Sequence, residues 1–516
     1  MIQQAKYTPT RIKRFMGNPL IEALPLPLTK ERIFTNFLYL PSVGNDELLL
    51  PAEERRFCVN ALFSFRQPQP HHGQIGLMLD ELIREGLVGR NPFVPGTLTH
   101  THFSITEGTD GIPPPSPEQL TAKAGLVSGL SGMGKSTGML RILTTCYQQV
   151  IQHTSYKGKP LPELQVVWLY VRIPYNASLK EFILAFFEAL DMAIYGPGIE
   201  HYYAEATRLG GNNRSLVRLF RKRARQHHLG VIVVDELQWL SIKRSRGSDE
   251  IGNFLHELLD IVGIPILFCG TYKAYDLLLT TVHETRRTVS IGKIDCVPKT
   301  ADSGEWKQFW KSLRPLQWLK HPEALSDQDG SLVHDLIQGV YDFAIKLFTI
   351  AQWRAMANGS EKIDAAILRS IMANELSPLR GALEQIKNPD KGWERRYEDL
   401  MPGEDILAGL VSHAGDSLFI ARMREIIRNE IDAVIPKYTS NTELHGKGKD
   451  EGESPETHIP DVRSVAKSDA NENPARDAID LRAAAQSTDP VEALKKMGLI
   501  ASGGVAGLRT NKSRKS

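Results

Sequence analysis

Residues 129–136, Gly-Leu-Ser-Gly-Met-Gly-Lys-Ser, set glycines, a lysine and a hydroxyl at a spacing that leaves the chain few ways to fold. The apolar run Ala124–Ser128 enters this loop as a short strand, and Thr137–Gln149 leaves it as a helix. A loop of this kind cradles phosphates when its backbone amides converge and the helix N-terminus adds a favourable field. Gly129, Gly132 and Gly134 supply the turns, and Lys135 is expected to reach the outer phosphates. Ser136 is expected to offer its hydroxyl to Mg2+, with Thr137 beside it. About a hundred residues later, Val231–Val234 reads as a buried strand ending in Asp235 and Glu236. Asp235 is expected to hold the magnesium, directly or through water, and Glu236 to orient and deprotonate the attacking water. The two segments together imply an ATPase site with ATP and Mg2+ as cofactors.

The 516 residues exceed the usual span of one hydrophobic core, so more than one folding unit is expected. Residues 1–118 read as an N-terminal, mainly helical extension, with helical periodicity in 51–66 and 76–86; a small helical module and a winged helix both fit. Asn18–Pro25 reads as a docking turn with extended backbone at both prolines. The stiff run Gly111–Pro117 marks a boundary. From 119 to 320 strands and helices alternate. Gln165–Ile173 and Ile264–Cys269 are further strands, and Ser178–Asp191 and Ser215–His228 are helices. The strands are apolar throughout, which predicts an α/β core whose parallel sheet is covered by helices on both faces. Residues 321–436 are expected to form a helical lid, with Leu332–Ala357 and Ile363–Glu375 strongly periodic. A lid after such a sheet is the AAA+ arrangement. Residues 437–516 turn polar and aperiodic and read as a largely disordered tail, with Pro490–Gly498 as a short helix or partner-binding segment.

Apolar residues make up 41% and charged residues 24%, with no stretch of membrane-spanning length and no signal-peptide core at the start, so no membrane role is expected. Four scattered cysteines point to a reducing, cytoplasmic setting. The pairs His71-His72 and His227-His228 have no partners at metal-ligand spacing. A net charge of +2 means that any nucleic-acid surface must be a local patch. Lys243, Arg244 and Arg246 lie in a serine-rich loop after the Asp-Glu strand, where they either clamp DNA phosphates or form a solvated surface. Tyr175 and Asn176, just past the second strand, point the same way. The basic helix 214–228 suits DNA, an acidic partner or solvent equally. Thr271, at the end of a strand, is placed to sense the γ-phosphate or hold the lytic water. Arg286 and Arg287 are either a finger inserted into a neighbouring subunit's site or a solvated pair. Lys346 is a candidate second sensor from the lid.

The chain resembles the TnsC family of AAA+ transposition regulators, related to MuB and TniB, over roughly residues 15–435. The resemblance rests on Asn18–Pro25, Gly86–Pro92, Gly129–Thr137, Ser178–Asp191, Val231–Leu240, Ser241–Ser248, Gly263–Ala274 and Gln338–Ala355. It implies a bacterial, DNA-associated ATPase that assembles on double-stranded target DNA as a ring or short filament of identical subunits. The implied partners are a target-selection protein at the N-terminal part and a transposase with its partner endonuclease at the C-terminal part. By the same resemblance Lys135 and Ser136 match the phosphate-loop pair, Asp235 and Glu236 the metal and catalytic carboxylates, and Thr271 the first sensor. Arg286 and Arg287 align with an arginine pair after the sensor strand. Two other readings stand beside it: another AAA+ machine such as a replication helicase loader, and a P-loop signalling switch with no DNA role. Lys135-Ser136, which has no function in a dinucleotide fold, argues against a dinucleotide oxidoreductase.

Overall fold

Five strands, β1 (Ala124–Gly129), β2 (Trp168–Arg172), β3 (Val231–Asp235), β4 (Ile266–Gly270) and β5 (Lys293–Cys296), form one parallel sheet in the order β5-β1-β4-β3-β2. The computed structural model describes residues 2–94, 97, 122–176, 178–210, 212–242, 263–272 and 290–388, with isolated positions between 251 and 259. β1, β3 and β4 are buried at every residue, which is why they carry apolar side chains on both faces. Successive residues supply opposite cores. Val127, Val231, Val233, Leu267 and Cys269 pack on one side with the phosphate-loop helix, and Leu126, Ile232, Val234, Ile266 and Phe268 on the other. The second side is closed by helices Leu179–Tyr195 and Asn213–Gln226, through Phe182, Phe186, Phe187, Leu216 and Phe220. Because β1, β3 and β4 are parallel neighbours, their C-terminal ends open onto one crevice.

The apolar run 165–173 is divided between two sheets rather than forming one strand. Leu164–Val166 pairs antiparallel with Val150–Gln152, which also pairs with Gln3–Gln4, while Trp168–Arg172 joins β3. Val167 is the crossing point, its N–H donated to Gln149 O at 2.8 Å. Composition alone does not separate the halves, since both are apolar and only their partners differ.

Asn18–Pro25 is a docking turn with extended backbone at Asn18 before Pro19, as expected, but its centre is helical. Pro19 opens a one-turn helix, Pro19–Glu22, capped by Asn18 Oδ1 accepting from Leu20 N at 3.1 Å. Proline's fixed φ suits the first helical position, where its missing N–H costs nothing. The segment is buried, and Asn18 Nδ2 donates to Leu87 O at 2.8 Å, fixing it to the long helix Pro70–Val88. Leu79, Leu82 and Ile83 of that helix belong to the same core as the sheet and the phosphate-loop helix. The described residues of 1–118 therefore share their core with the nucleotide-binding sheet.

Helix Gly304–Leu313 ends the expected core span, and the described part of the expected lid contains helices Asp327–Ile337, Tyr341–Ala357, Ala365–Ala373 and Arg380–Lys387. The periodic run 332–357 is broken at Gln338 and Gly339, both with positive φ, and Val340 starts the next helix in a new direction. None of the described helices is long and apolar enough to cross a membrane.

A buried ion pair joins the N-terminal helix Ala52–Cys58 to the lid. Arg55 is fully buried and donates to Glu361 at 2.5 and 2.9 Å and to Trp318 O at 2.6 Å. Burial disfavours the charged form of Glu361, but the bonds from Arg55 and from Lys320 N–H outweigh it and hold its pKa below the ordinary carboxylate value. That contribution is present above the unfolded carboxylate pKa and is lost as pH falls through the folded one. Arg55→Ala is expected to cost about 3 kcal/mol, the low end for breaking a buried pair, because Glu361 loses its counter-charge and keeps only the Lys320 N–H. Denaturant unfolding at neutral pH measures this, and a loss under about 1 kcal/mol would show the pair to be as weak as a surface salt bridge.

Candidate active site

The phosphate loop leaves β1 at Gly129, whose φ is +149°. A Cβ there would lie 2.2 Å from Cys296 O, so only glycine lets β1 and β5 run this close at the mouth of the loop. Gly132, with φ +80°, would place a Cβ 2.8 Å from Val340 Cγ1, and its carbonyl accepts Asp342 N–H at 3.2 Å. The lid thus touches the loop directly. Lys135 opens the helix Lys135–Cys146 and is buried, with Nζ donating to Gly129 O at 2.9 Å and Leu130 O at 2.7 Å. Ser136 is half-buried and Thr137 exposed.

Asp235 ends β3 and is almost completely buried. Its Oδ1 accepts Glu236 N–H at 2.8 Å, and its Oδ2 accepts the hydroxyl of Tyr170 from β2. Burial, with the Asp235 charge beside it, raises the pKa of Tyr170, so the phenol stays a donor and the carboxylate stays oriented. Glu236 has φ +60°, a left-handed conformation that turns its side chain away from the strand line. Its Oε2 accepts from Gln238 Nε2, and Gln238 Oε1 accepts Thr271 N–H at 3.4 Å. Thr271 Oγ1 is buried without a protein partner.

These groups line one cavity of about 220 Å³, to which Gly132, Gly134, Lys135, Ser136, Thr137, Asp235, Glu236 and Thr271 all contribute. Gly129 stands behind it at the end of the strand. The donor set suits the expected cofactors. Ser136 and Asp235 offer hard oxygen ligands to Mg2+, and the unpartnered Thr271 hydroxyl lines the same space. When bound there, Mg2+ would neutralise charge on the phosphate oxygens. Lys135 supplies a positive charge to the same cavity, and Glu236 is the carboxylate available to take a proton from water.

The remaining sequence-derived residues fare differently. Lys346 is buried and paired with Asp342 at 2.6 Å, so its ammonium braces the lid residue that contacts Gly132 instead of lining the cavity. Tyr175 is 74% exposed on the loop after β2, at the catalytic edge of the sheet. Asn176 Oδ1 accepts Ser178 N–H at 3.2 Å at the entry to the next helix. In the basic helix, Arg223 is engaged by Glu205 and stacks over Tyr202, whereas Arg214 and Arg218 are exposed. Lys243, Arg244, Arg246, Arg286 and Arg287 lie outside the described residues.

The far wall of the cavity was not legible in the sequence. It is built by Phe37, Phe65, Gln69 and His72 from the N-terminal part and by Tyr341 and Ile345 from the lid. Tyr341 hydroxyl donates to Gln69 Oε1 at 2.8 Å, linking the two. His72 stacks on Phe37 at 4.1 Å, and its Nδ1 accepts Gln69 N–H at 3.0 Å, which leaves the proton on Nε2 toward the phosphate-loop helix. Burial lowers the pKa of His72 well below its usual value and that of His71 to about 4, so both are neutral near pH 7. The His71-His72 pair was the only signal, and its spacing carries no meaning without the fold.

Residues 119–278 match the family model described as AAA domain. No curated protein matches the chain. Solved structures similar to it include the ORC2 protein of Aeropyrum pernix in ADPNP-ADP complexes, at 13% identity over 66% of this chain and 96% of that one, with a TM-score of 0.34. The Walker-type ATPase of Pyrococcus abyssi is 13% identical over 62% and 89%, with a TM-score of 0.34. Cdc6p from Pyrobaculum aerophilum is 13% identical over 67% and 98%, with a TM-score of 0.32. The AAA domain match falls on the strand-loop-helix and Asp-Glu elements that line the cavity. The chain has an AAA+-like α/β core and is an ATP hydrolase.

Proposed function

We propose that this ATPase assembles on double-stranded DNA in its triphosphate state and regulates transposition, linking a target-selection protein to a transposase and its partner endonuclease. Hydrolysis sets the lifetime of the assembly. The observation that carries the reading is the placement of the hydrolytic set and exposed Tyr175 on one edge of the sheet; Lys243, Arg244 and Arg246, which follow the Asp-Glu strand in sequence, are the proposed phosphate clamp. The resemblance of residues 15–435 to TnsC-type regulators supplies the partners, a ring or short filament of identical subunits, and a cytoplasmic, DNA-associated setting. Arg286 and Arg287 are the candidates for a finger between subunits. A second reading, a replication-type AAA+ machine such as a helicase loader, shares the ATP and DNA steps and differs in partner. It is kept because the AAA domain match, residues 119–278, covers only what the two have in common.

Electron microscopy of the purified chain with a random-sequence duplex tests the assembly step. Rings or filaments threaded by DNA are expected with ATP and magnesium and not with ADP. Dispersed particles in both states, with hydrolysis indifferent to DNA, would favour a signalling switch instead. Loss of transposition, with replication intact, in cells carrying an inactivated chromosomal copy would separate the regulator from the loader.

A further inference from the structure

Gln238 has no role in the phosphate loop or in the Asp-Glu pair, yet it touches both ends of the hydrolytic set. It sits two residues past Glu236 on the turn that leaves β3. That turn is closed by Trp239 N–H to Glu236 O at 3.0 Å and tied to β4 by Leu237 N–H to Cys269 O at 3.1 Å. From this fixed position the amide nitrogen donates to Glu236 Oε2, and the amide oxygen accepts Thr271 N–H at 3.4 Å. All three residues line the nucleotide cavity, and the Thr271 hydroxyl is buried there without a protein partner.

We infer that Gln238 is a positioning residue for ATP hydrolysis, holding the Glu236 carboxylate in register with Thr271 at the end of β4. An uncharged amide is suited to this task because it offers a donor and an acceptor at once. A glutamate in its place would keep the acceptor for Thr271 but set a second negative charge against Glu236. A leucine would offer neither bond. The left-handed backbone of Glu236 makes such restraint necessary, since few side chains rest there without local support. Movement of Thr271 toward a phosphate oxygen would be passed through the amide to the carboxylate, so that water is activated only beside a triphosphate.

The inference rests on the ATPase activity of the site, and the full-length protein tests it. Steady-state ATP turnover, affinity for a fluorescent ATP analogue and thermal unfolding are compared for the wild type, Gln238→Leu and Gln238→Glu. Both variants are expected to lose roughly 10- to 100-fold in kcat, at the low end of general-base effects, and the uncharged Gln238→Leu to do so with nucleotide affinity unchanged. A fall in kcat at unchanged nucleotide affinity separates a positioning role from a packing defect, which would weaken both. Thr271→Ala should cost less in the Gln238→Leu background than alone. Wild-type kcat in either variant overturns the inference. If Gln238→Leu unfolds early, the isosteric Gln238→Glu decides by the same kcat criterion. A wild type that fails to hydrolyse ATP would overturn the ATPase assignment itself, a result distinct from normal turnover in the variants.

Discussion

Lys135→Ala is expected to abolish ATP turnover and ATP-dependent assembly on DNA while leaving the fold intact. The ammonium is buried at the base of the phosphate loop, where its charge has little competition from water. Truncating one partner of a buried, hydrogen-bonded charge pair costs about 2–5 kcal/mol. That corresponds to roughly a 30- to 4,000-fold loss of triphosphate affinity. Two features protect the fold. Alanine is the best helix former at this first helical position. The carbonyls of Gly129 and Leu130, which lose the ammonium, stand at the mouth of the β1 strand beside the cavity. Titration with a fluorescent ATP analogue, alongside thermal unfolding, reads the effect. Unchanged affinity in a folded variant would remove the loop from nucleotide binding and leave the cavity without a function.

Glu236→Gln should have the opposite profile, with nucleotide still bound and hydrolysis slowed by about 10²–10⁴-fold. An amide of the same length can still orient water but cannot take its proton. The contact with Gln238 can persist, because the new side-chain carbonyl still accepts from Gln238 Nε2. The Glu236 amide bond to Asp235 Oδ1 involves the backbone and is kept as well. The metal carboxylate therefore stays in place, and the defect is confined to the chemical step. On the proposed function, the variant should hold its DNA-bound assembly longer in ATP. Faster dissolution of that assembly would make Glu236 a structural residue, and an unchanged kcat would move the general base elsewhere.

What could be read in the sequence was what local spacing encodes. Glycines, Lys135 and Ser136 within eight residues specify one backbone path, and a strand that ends in Asp235 and Glu236 specifies where two carboxylates must emerge. Uniformly apolar strands between amphipathic helices specify a covered parallel sheet, and β1, β3 and β4 lie within about two residues of their expected spans. Tertiary structure decided every question of who meets whom. It divided 165–173 between two sheets, and it folded Asn18–Pro25 into a capped helical turn held by Leu87. It also broke the lid at Gln338 and Gly339, which brings Asp342 onto Gly132. The wall formed by Phe37, His72 and Tyr341 and the bridge from Glu236 through Gln238 to Thr271 belong to this second class. The reason is physical. Backbone geometry and periodicity are properties of neighbouring residues, whereas a cavity wall is set by packing among segments up to some 300 residues apart, and no local spacing records that choice.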